Sequence, residues 1–227
     1  MDLGQARRLA EMAVDMAEQP DLSRTLDRML AGARLIVLCD AVGVQLVREG
    51  GRVGTAALSE ELVGHAGVVE VDAKGRAGPC LDHLETLDSL VINDTSRDQR
   101  WPEWSVKVAE LGWMAVLSLR LYTPSRTLGA LNLYARTEHA FGPEDLEVAT
   151  LFGRHASIAL VAAQNCESLR SALSGRRIIG QAQGILMERY QMDADRAFNV
   201  LQRYSQDRNI KLRVVAERVI GDHQLPV

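Results

Sequence analysis

The sequence predicts an α+β protein: an antiparallel-sheet domain, then a long connecting helix and a C-terminal three-helix bundle. Short segments of alternating apolar residues are separated by helical stretches without regular strand–helix–strand alternation, which is typical of an α+β layered domain. A strong helix start follows at residues 141–145. Three apolar stripes at helical spacing then run between residues 178 and 220, which predicts the bundle.

Within the sheet domain, apolar residues recur about every 3.6 residues in some segments, as in a helix, and every second residue in others, as in a strand. The first pattern predicts helices over residues 3–18, 22–37 and 101–111. The second predicts a strand hairpin over 42–58 and strands over 89–92, 113–122 and 128–135. Weak helical signals also cover residues 59–71 and 78–87.

Composition places the chain among globular proteins, because 47% of its 227 residues are hydrophobic and 25% are charged. We find no run of about 18 uncharged apolar residues and no basic segment leading into an apolar one at the N-terminus. We therefore expect a cytoplasmic protein with no membrane partner. Cys39, Cys80 and Cys166 are far apart, which predicts reduced thiols rather than a disulfide framework or a zinc site.

Charge is divided unevenly along the chain. Residues 170–227 contain ten Lys or Arg and six Asp or Glu, so this segment carries +4 while the preceding residues carry −8. Such asymmetry indicates that the two parts meet different partners. A solvated, mildly basic helical surface is the alternative interpretation.

The connecting helix begins at residue 143, where Pro143 takes the first helical position and Glu144 and Asp145 follow in the first turn. Further along, small and apolar residues alternate at spacings of three and four. This spacing predicts the seam of a homodimeric coiled coil, formed by Ala159, Ala162, Cys166, Leu169 and Leu173. The alternative is a single helix that packs on its own sheet domain.

After the seam, we expect Gly175 to interrupt the helix before the bundle begins. The bundle's apolar stripes fall in three segments, separated by turn residues near 191–193 and 207–209. Small residues inside these segments predict close helix packing, at Ala182, Gly184, Ala197 and Ala216.

The C-terminal sequence LRSALSGRRIIGQAQGILMER at 169–189 closely resembles the start of an ANTAR domain. Residues 195–198, 201–206 and 209–220 continue in the order and spacing of that family. The resemblance implies a three-helix RNA-binding module that, as a dimer, recognises paired hairpins in nascent mRNA and acts in transcription antitermination. One position departs from the pattern, since members often carry Lys where this chain has Gln183.

The N-terminal part is similar to a GAF domain through GPCL at 78–81, VINDT at 91–95, LGALNL at 128–133 and FGPED at 141–145. The resemblance implies a sensor domain that responds to an unknown small molecule or signalling protein. The fold alone does not identify which one. We divide the chain into an N-terminal helix (1–20), a GAF-like sensor domain with the connecting helix from 143 (21–165) and an ANTAR-like bundle (166–227).

RNA binding requires cations for phosphates and polar or aromatic groups for unpaired bases. Seven such residues surround the turn between the last two helices: Arg203, Tyr204, Ser205, Arg208, Asn209, Lys211 and Arg213. A second candidate face on the first helix of the bundle contains Arg176, Arg177, Gln181 and Gln183. The alternatives are ordinary solvated charges, a core role for Tyr204 and snorkelling of the arginine pair beside the seam.

Catalytic and metal-binding patterns are missing from the sequence. The five His residues show no HxxxH or HExxH spacing, and no nucleophile is accompanied by a base. Cys80 is the one thiol inside a recognisable motif, which makes it a candidate for a ligand or redox role. We expect a regulator and not an enzyme, the alternatives being a DNA-binding regulator or a GAF-like thiol enzyme.

Overall fold

The structure is a computed structural model that describes residues 3–48, 52–63 and 88–222. The chain forms two compact units, residues 1–164 and 165–227. Helices and strands are numbered below within the described residues. The motif around Cys80 and the weak helical segments at 64–87 lie outside them.

A five-stranded antiparallel sheet forms the centre of the first unit, with strand order β2-β1-β5-β4-β3. The strands are β1 (Ala41–Val47), β2 (Val53–Leu58), β3 (Ser89–Ile92), β4 (Ala115–Thr123) and β5 (Arg126–Ala135). Antiparallel pairing of β1 with β2 confirms the predicted hairpin. Strand β1 also pairs with β5, which joins the beginning of the domain to its end.

Helices cover both faces of this sheet. They are α1 (Leu3–Ala17), α2 (Leu22–Ile36), α3 (Glu60–Val63), α4 (Pro102–Glu110) and the first part of α5 (Pro143–Tyr190). Because side chains alternate along a strand, Leu117 and Leu119 of β4 pack with α1, α2 and α5, whereas Val116 packs with α3 and α4. The sequence therefore folds as the predicted α+β domain, with two buried cores.

Strands β5 and β1 approach each other closely at Gly129. This residue has a φ of 159°, and a Cβ placed there would lie 1.9 Å from the carbonyl oxygen of Gln45. Glycine is required at this position, because any side chain would collide with the backbone of the neighbouring strand.

Helix α5 is a single helix of 48 residues. Its start is fixed by Asp145, whose Oδ2 accepts a hydrogen bond from the backbone N–H of Gly142 at 2.9 Å. The prediction that Gly175 interrupts this helix was wrong. One glycine costs a helix about 1 kcal/mol relative to alanine, and the helical residues on both sides offset that cost.

Polar contacts fasten α5 to the sheet. The Ser157 hydroxyl accepts from the backbone N–H of Tyr122 at 3.0 Å and donates to the Gly153 carbonyl at 2.7 Å. Arg154 and the Tyr122 hydroxyl both donate to Asp88 Oδ2, at 2.9 and 2.7 Å. The first half of α5 is thereby held in a fixed position on the sheet.

Among the described residues, α5 is the one helix long and apolar enough to cross a membrane by length and composition. Its 18-residue window has a mean hydropathy of 1.3, and 44% of that window is buried. This is weak support for a membrane span, since the core helix of a soluble protein meets the same criteria.

The second unit contains the last part of α5, together with α6 (Ala194–Asp207) and α7 (Leu212–Asp222). Seven residues from the three helices form its buried core: Ala182, Leu186, Ala197, Leu201, Val215, Ala216 and Val219. The predicted three-helix bundle is therefore present.

Candidate nucleic-acid interface

The turn between α6 and α7 brings one group of predicted RNA-binding residues together. Helix α6 ends at Asp207, and two residues later Asn209 adopts a left-handed φ of 51° that asparagine tolerates better than most residues. The backbone N–H of Ile210 then donates to the Ser205 carbonyl at 3.0 Å. The Ser205 hydroxyl donates to the Ile210 carbonyl at 2.5 Å, so this side chain holds the turn in place.

Tyr204 has two roles in this turn. Its ring is half-buried and packs against the bundle core. The Arg208 guanidinium lies 5.6 Å from the ring centroid, within the range of a cation–π contact. The structure therefore places Tyr204 between the core and the exposed turn, with Arg208 over its ring.

Two of the predicted cations are paired with acids on their own helices. Arg203 lies 3.8 Å from Asp207, and Arg213 lies 2.9 Å from Glu217. By contrast, Arg208 and Lys211 are exposed and have no carboxylate partner within the described part of the chain. Their positive charges are consequently the more available ones for an anionic ligand.

The second predicted face lies on α5. Arg176, Arg177 and Gln181 are exposed there. Gln183 is half-buried, and its Nε2 donates to the Ala194 carbonyl at 3.2 Å, which ties α5 to the start of α6. Three of the four predicted side chains thus point to solvent, whereas Gln183 makes an internal contact.

The residues of the predicted seam differ in exposure. Ala159 is only 3% exposed and packs in the core of the first unit, beside Leu160. It cannot contact a partner helix, because its side chain already faces the sheet. Ala162 and Cys166 are exposed, and Leu169 and Leu173 are both 65% exposed.

The two described cysteines lie in different environments. Burial raises the pKa of the Cys39 thiol to about 12, which keeps it protonated and unreactive. Cys166 is exposed on α5. Among the described residues, no group of three or more His, Cys, Asp or Glu side chains could hold a metal ion.

Sequence reasoning misread the small residues of the bundle in one respect. Ala182, Ala197 and Ala216 are fully buried, as expected for close helix packing. Gly184 is exposed, and a Cβ there would meet no atom within 4 Å, so the packing role predicted for it was wrong. Gly180, one turn earlier, is equally open.

The chain thus combines a helix-covered antiparallel sheet with a helical bundle that carries exposed cations. Comparisons with known families identify both parts. Residues 19–161 match the GAF domain family, and residues 167–220 match the ANTAR domain family.

The chain belongs to the GAF domain family and carries an ANTAR domain at its C-terminal end. This confirms the resemblance drawn from the sequence motifs. The GAF domain is a sensor domain, and the ANTAR domain implies RNA binding and antitermination regulation. No curated protein matches the sequence.

Solved structures support the fold of the sensor domain. The GAF domain of an Acinetobacter phosphoenolpyruvate-protein phosphotransferase aligns with a TM-score of 0.56 and 13% identity, over 73% of this chain and 97% of that one. Free methionine-R-sulfoxide reductase from Neisseria meningitidis aligns with a TM-score of 0.55 and 13% identity, over 73% of this chain and 95% of that one. A bacteriophytochrome from R. palustris aligns with a TM-score of 0.58 and 12% identity, over 82% of this chain and 43% of that one. At these identities the likeness shows the fold alone.

Proposed function

We propose that this protein is a signal-responsive, cytoplasmic antitermination regulator that works as a homodimer and binds paired hairpins in nascent mRNA. The observation that carries the proposal is the turn between α6 and α7, where Arg208 and Lys211 are exposed and have no acid partner among the residues that the structure describes. Cations of this kind are what a phosphate backbone attracts, and the neighbouring Tyr204 and Asn209 offer groups that unpaired bases in a loop can use.

Arg203 and Arg213 complete the surface around this turn. Both are exposed, and exposed ion pairs on one helix are weak, so phosphate can compete with Asp207 and Glu217 for their guanidinium groups. Ser205 contributes by holding the turn in shape. On α5, Arg176, Arg177 and Gln181 supply the second RNA-binding face. Gln183 contributes indirectly, through its hydrogen bond to the Ala194 carbonyl, which ties α5 to α6.

The exposed apolar face of α5 supports the proposed dimer. Leu169 and Leu173 are one helical turn apart and both 65% exposed, and exposed leucines at this spacing are typical of a helix that pairs with another. Cys166 lies one turn before Leu169 on the same face. We assign the seam to residues 162–173 and leave out Ala159.

The sensor domain acts on the bundle through α5. A small molecule or signalling protein bound to the sensor would shift α5 on the sheet, where Ser157 and Arg154 fasten it. Because α5 is one unbroken helix, such a shift changes the pairing of the seam and the exposure of the RNA-binding bundles.

The RNA-binding step is tested with the purified full chain and a synthetic RNA that carries two hairpins. Gel shifts at several salt concentrations should show binding that weakens as salt rises. Duplex DNA of equal length should not compete. Absence of RNA binding at every salt concentration would contradict the proposal, and efficient competition by duplex DNA would favour a DNA-binding regulator.

Dimerisation is tested independently through Cys166. In a Cys39→Ser, Cys80→Ser background, mild oxidation should link two chains through Cys166, because a parallel pair places each Cys166 near its counterpart. Leu169→Asp with Leu173→Asp should abolish this cross-link and give a monomer in sedimentation experiments. Ser171→Asp, on the opposite side of α5, is the matched control and should leave the dimer intact. A monomeric unsubstituted chain would refute the assignment.

A further inference from the structure

Strand β3 forms one edge of the sheet, and part of its main chain is directed away from β4. The backbone N–H of Arg120 on β4 donates to the Asp88 carbonyl at 2.9 Å. Main-chain groups of successive residues point to opposite sides of an antiparallel strand. Asp88 and the even-numbered residues of β3 therefore face β4, whereas Ser89 and Val91 face outward.

The two outward-facing residues of β3 differ in what covers their main chain. The Val91 carbonyl accepts a hydrogen bond from the Arg100 guanidinium at 3.4 Å. The opposite edge of the sheet has a similar cover on β2, because Arg48 donates to the Thr55 carbonyl at 3.3 Å. In the described part of the chain, no side chain makes such a hydrogen bond to the main chain of Ser89. An open strand edge of this kind can pair with another chain.

A groove of about 420 Å³ lies beside Ser89, between β3 and the first turns of α5. Apart from Ser89, it is lined by residues of α5: Pro143, Leu146, Glu147, Thr150 and Leu151. The side chains of Ser89 and Val91 point to the α5 side of the sheet, since Val91 packs against the core that α5 shares. A strand paired with the outer edge of β3 would therefore direct every second side chain into the groove.

Charge indicates the chemistry of that strand. Glu147 is exposed at the wall of the groove and has no cationic partner among the residues that the structure describes. The other side chains of the groove are apolar or carry a hydroxyl group. An extended segment fits this wall if it has an apolar side chain opposite Ser89 and a Lys or Arg two residues away, on the same face.

A second copy of β3 does not have this chemistry. The segment Asp88–Asp94 carries an acid at each end and no cation between them. It would bring further negative charge towards Glu147, and like charges in one interface disfavour pairing. The occupant that fits is therefore a different protein chain.

We propose that the groove between β3 and α5 binds an extended, basic and apolar segment of a partner protein, which pairs with Ser89 as an additional strand of the sheet. The partner residue opposite Ser89 exchanges two main-chain hydrogen bonds with it and places its side chain in the groove beside Leu146 and Leu151. This inference goes beyond the proposed function, because the docking does not depend on RNA binding. The partner docks on α5, the helix through which the proposed function transmits the signal.

The test uses short peptides and the isotopically labelled full chain. The peptide Lys-Thr-Val-Thr-Lys, blocked at both ends, has its valine and both lysines on one face when extended. At millimolar concentration it should slow hydrogen exchange of the Ser89 amide and shift the NMR signals of Thr150 and Leu151. One matched peptide has glutamate in place of both lysines, and another carries an N-methyl group on valine. Each should bind about fivefold more weakly or worse, because the first repels Glu147 and the second lacks the N–H that donates to the Ser89 carbonyl.

Charge exchange in the protein provides the matched control. Glu147→Lys should weaken binding of the lysine peptide by about fivefold or more and strengthen binding of the glutamate peptide. Glu110→Lys makes the same change in net charge on α4, which covers the other face of the sheet. It should leave both affinities within about twofold, because salt screens a charge that does not touch the peptide. Both glutamates are exposed, so we expect both variants to fold.

Three results would overturn the inference. No change at the Ser89 amide with any peptide would show that this edge is not a docking site. Equal effects of Glu147→Lys and Glu110→Lys would mean that net charge alone attracts the peptide. Protection of the Ser89 amide in the peptide-free dimer, lost in the Leu169→Asp, Leu173→Asp chain, would assign the edge to a second copy. None of these results concerns RNA binding by the unsubstituted chain, so failure of the inference is distinguishable from failure of the proposed function.

Discussion

Replacing Arg208 and Lys211 with glutamine should weaken RNA binding and make it less dependent on salt. The prediction follows because these two residues, unlike Arg203 and Arg213, have no carboxylate partner within residues 3–48, 52–63 and 88–222. Removing a cation of this kind takes away a phosphate contact without freeing an acid, so the loss should appear in binding.

The size of the effect can be worked out from counterion release. Each phosphate contact contributes about 0.7 to 0.9 to the slope of log K against log salt, so losing two should make the slope shallower by about 1.4 to 1.8. If the electrostatic contribution vanishes near 1 M salt, affinity at 0.1 M should fall by about 25- to 60-fold. The difference between the two proteins should shrink steadily as salt rises.

Fluorescence anisotropy with a labelled two-hairpin RNA, measured between about 0.05 and 0.4 M salt, gives both quantities. The control is Arg7→Gln with Arg8→Gln on α1, which removes the same net charge from the N-terminal helix. It should change affinity by less than about threefold, because neither arginine belongs to the proposed RNA contacts and salt screens exposed charges that do not touch the RNA. Equal losses in the two double variants would refute the reasoning, since net charge alone would then explain binding. An unchanged slope in the Arg208 and Lys211 variant would also refute it.

Three further predictions concern the fold. Gly129→Ala should lower the free energy of unfolding of the sensor domain by about 3 kcal/mol or more in urea denaturation, because the added Cβ would lie 1.9 Å from the Gln45 carbonyl oxygen. Iodoacetamide at pH 8 should modify exposed Cys166 and spare Cys39, whose pKa is raised to about 12 by burial, as mass spectrometry of peptides would show. Leu201→Ala should destabilise the bundle by about 2 to 5 kcal/mol and unfold it at lower temperature than the sensor domain.

Each of these has a result that contradicts it. If Gly129→Ala left the urea midpoint unchanged, β1 and β5 would be able to move apart without lowering the free energy of unfolding. Rapid alkylation of Cys39 in the folded protein would show that its thiol is not buried. Loss of sensor-domain stability in Leu201→Ala, with the bundle intact, would mean that this leucine does not belong to the bundle core.

The local patterns of the sequence determined the elements of the fold. Side chains alternate between the two faces of an extended strand. In β4, Leu117 and Leu119 therefore face one core and Val116 faces the other. Asp193 caps α6 by accepting a hydrogen bond from the backbone N–H of Arg196 at 2.7 Å. A cap of this kind depends only on residues close together in sequence. The family motifs at 169–189 likewise identify the RNA-binding domain without a structure.

Tertiary structure decided which surfaces remain available. Ala159 and Leu169 both fit the seam spacing, yet the first is covered by the sheet and the second is exposed. Ala182 and Gly184 are both small residues of one helix, yet only the alanine is buried. Helical spacing fixes the direction in which a residue points, but whether another element lies in that direction depends on contacts distant in sequence. For this reason the sequence determined the elements and the class of ligand, and the packing of those elements decided which of the predicted residues remain exposed.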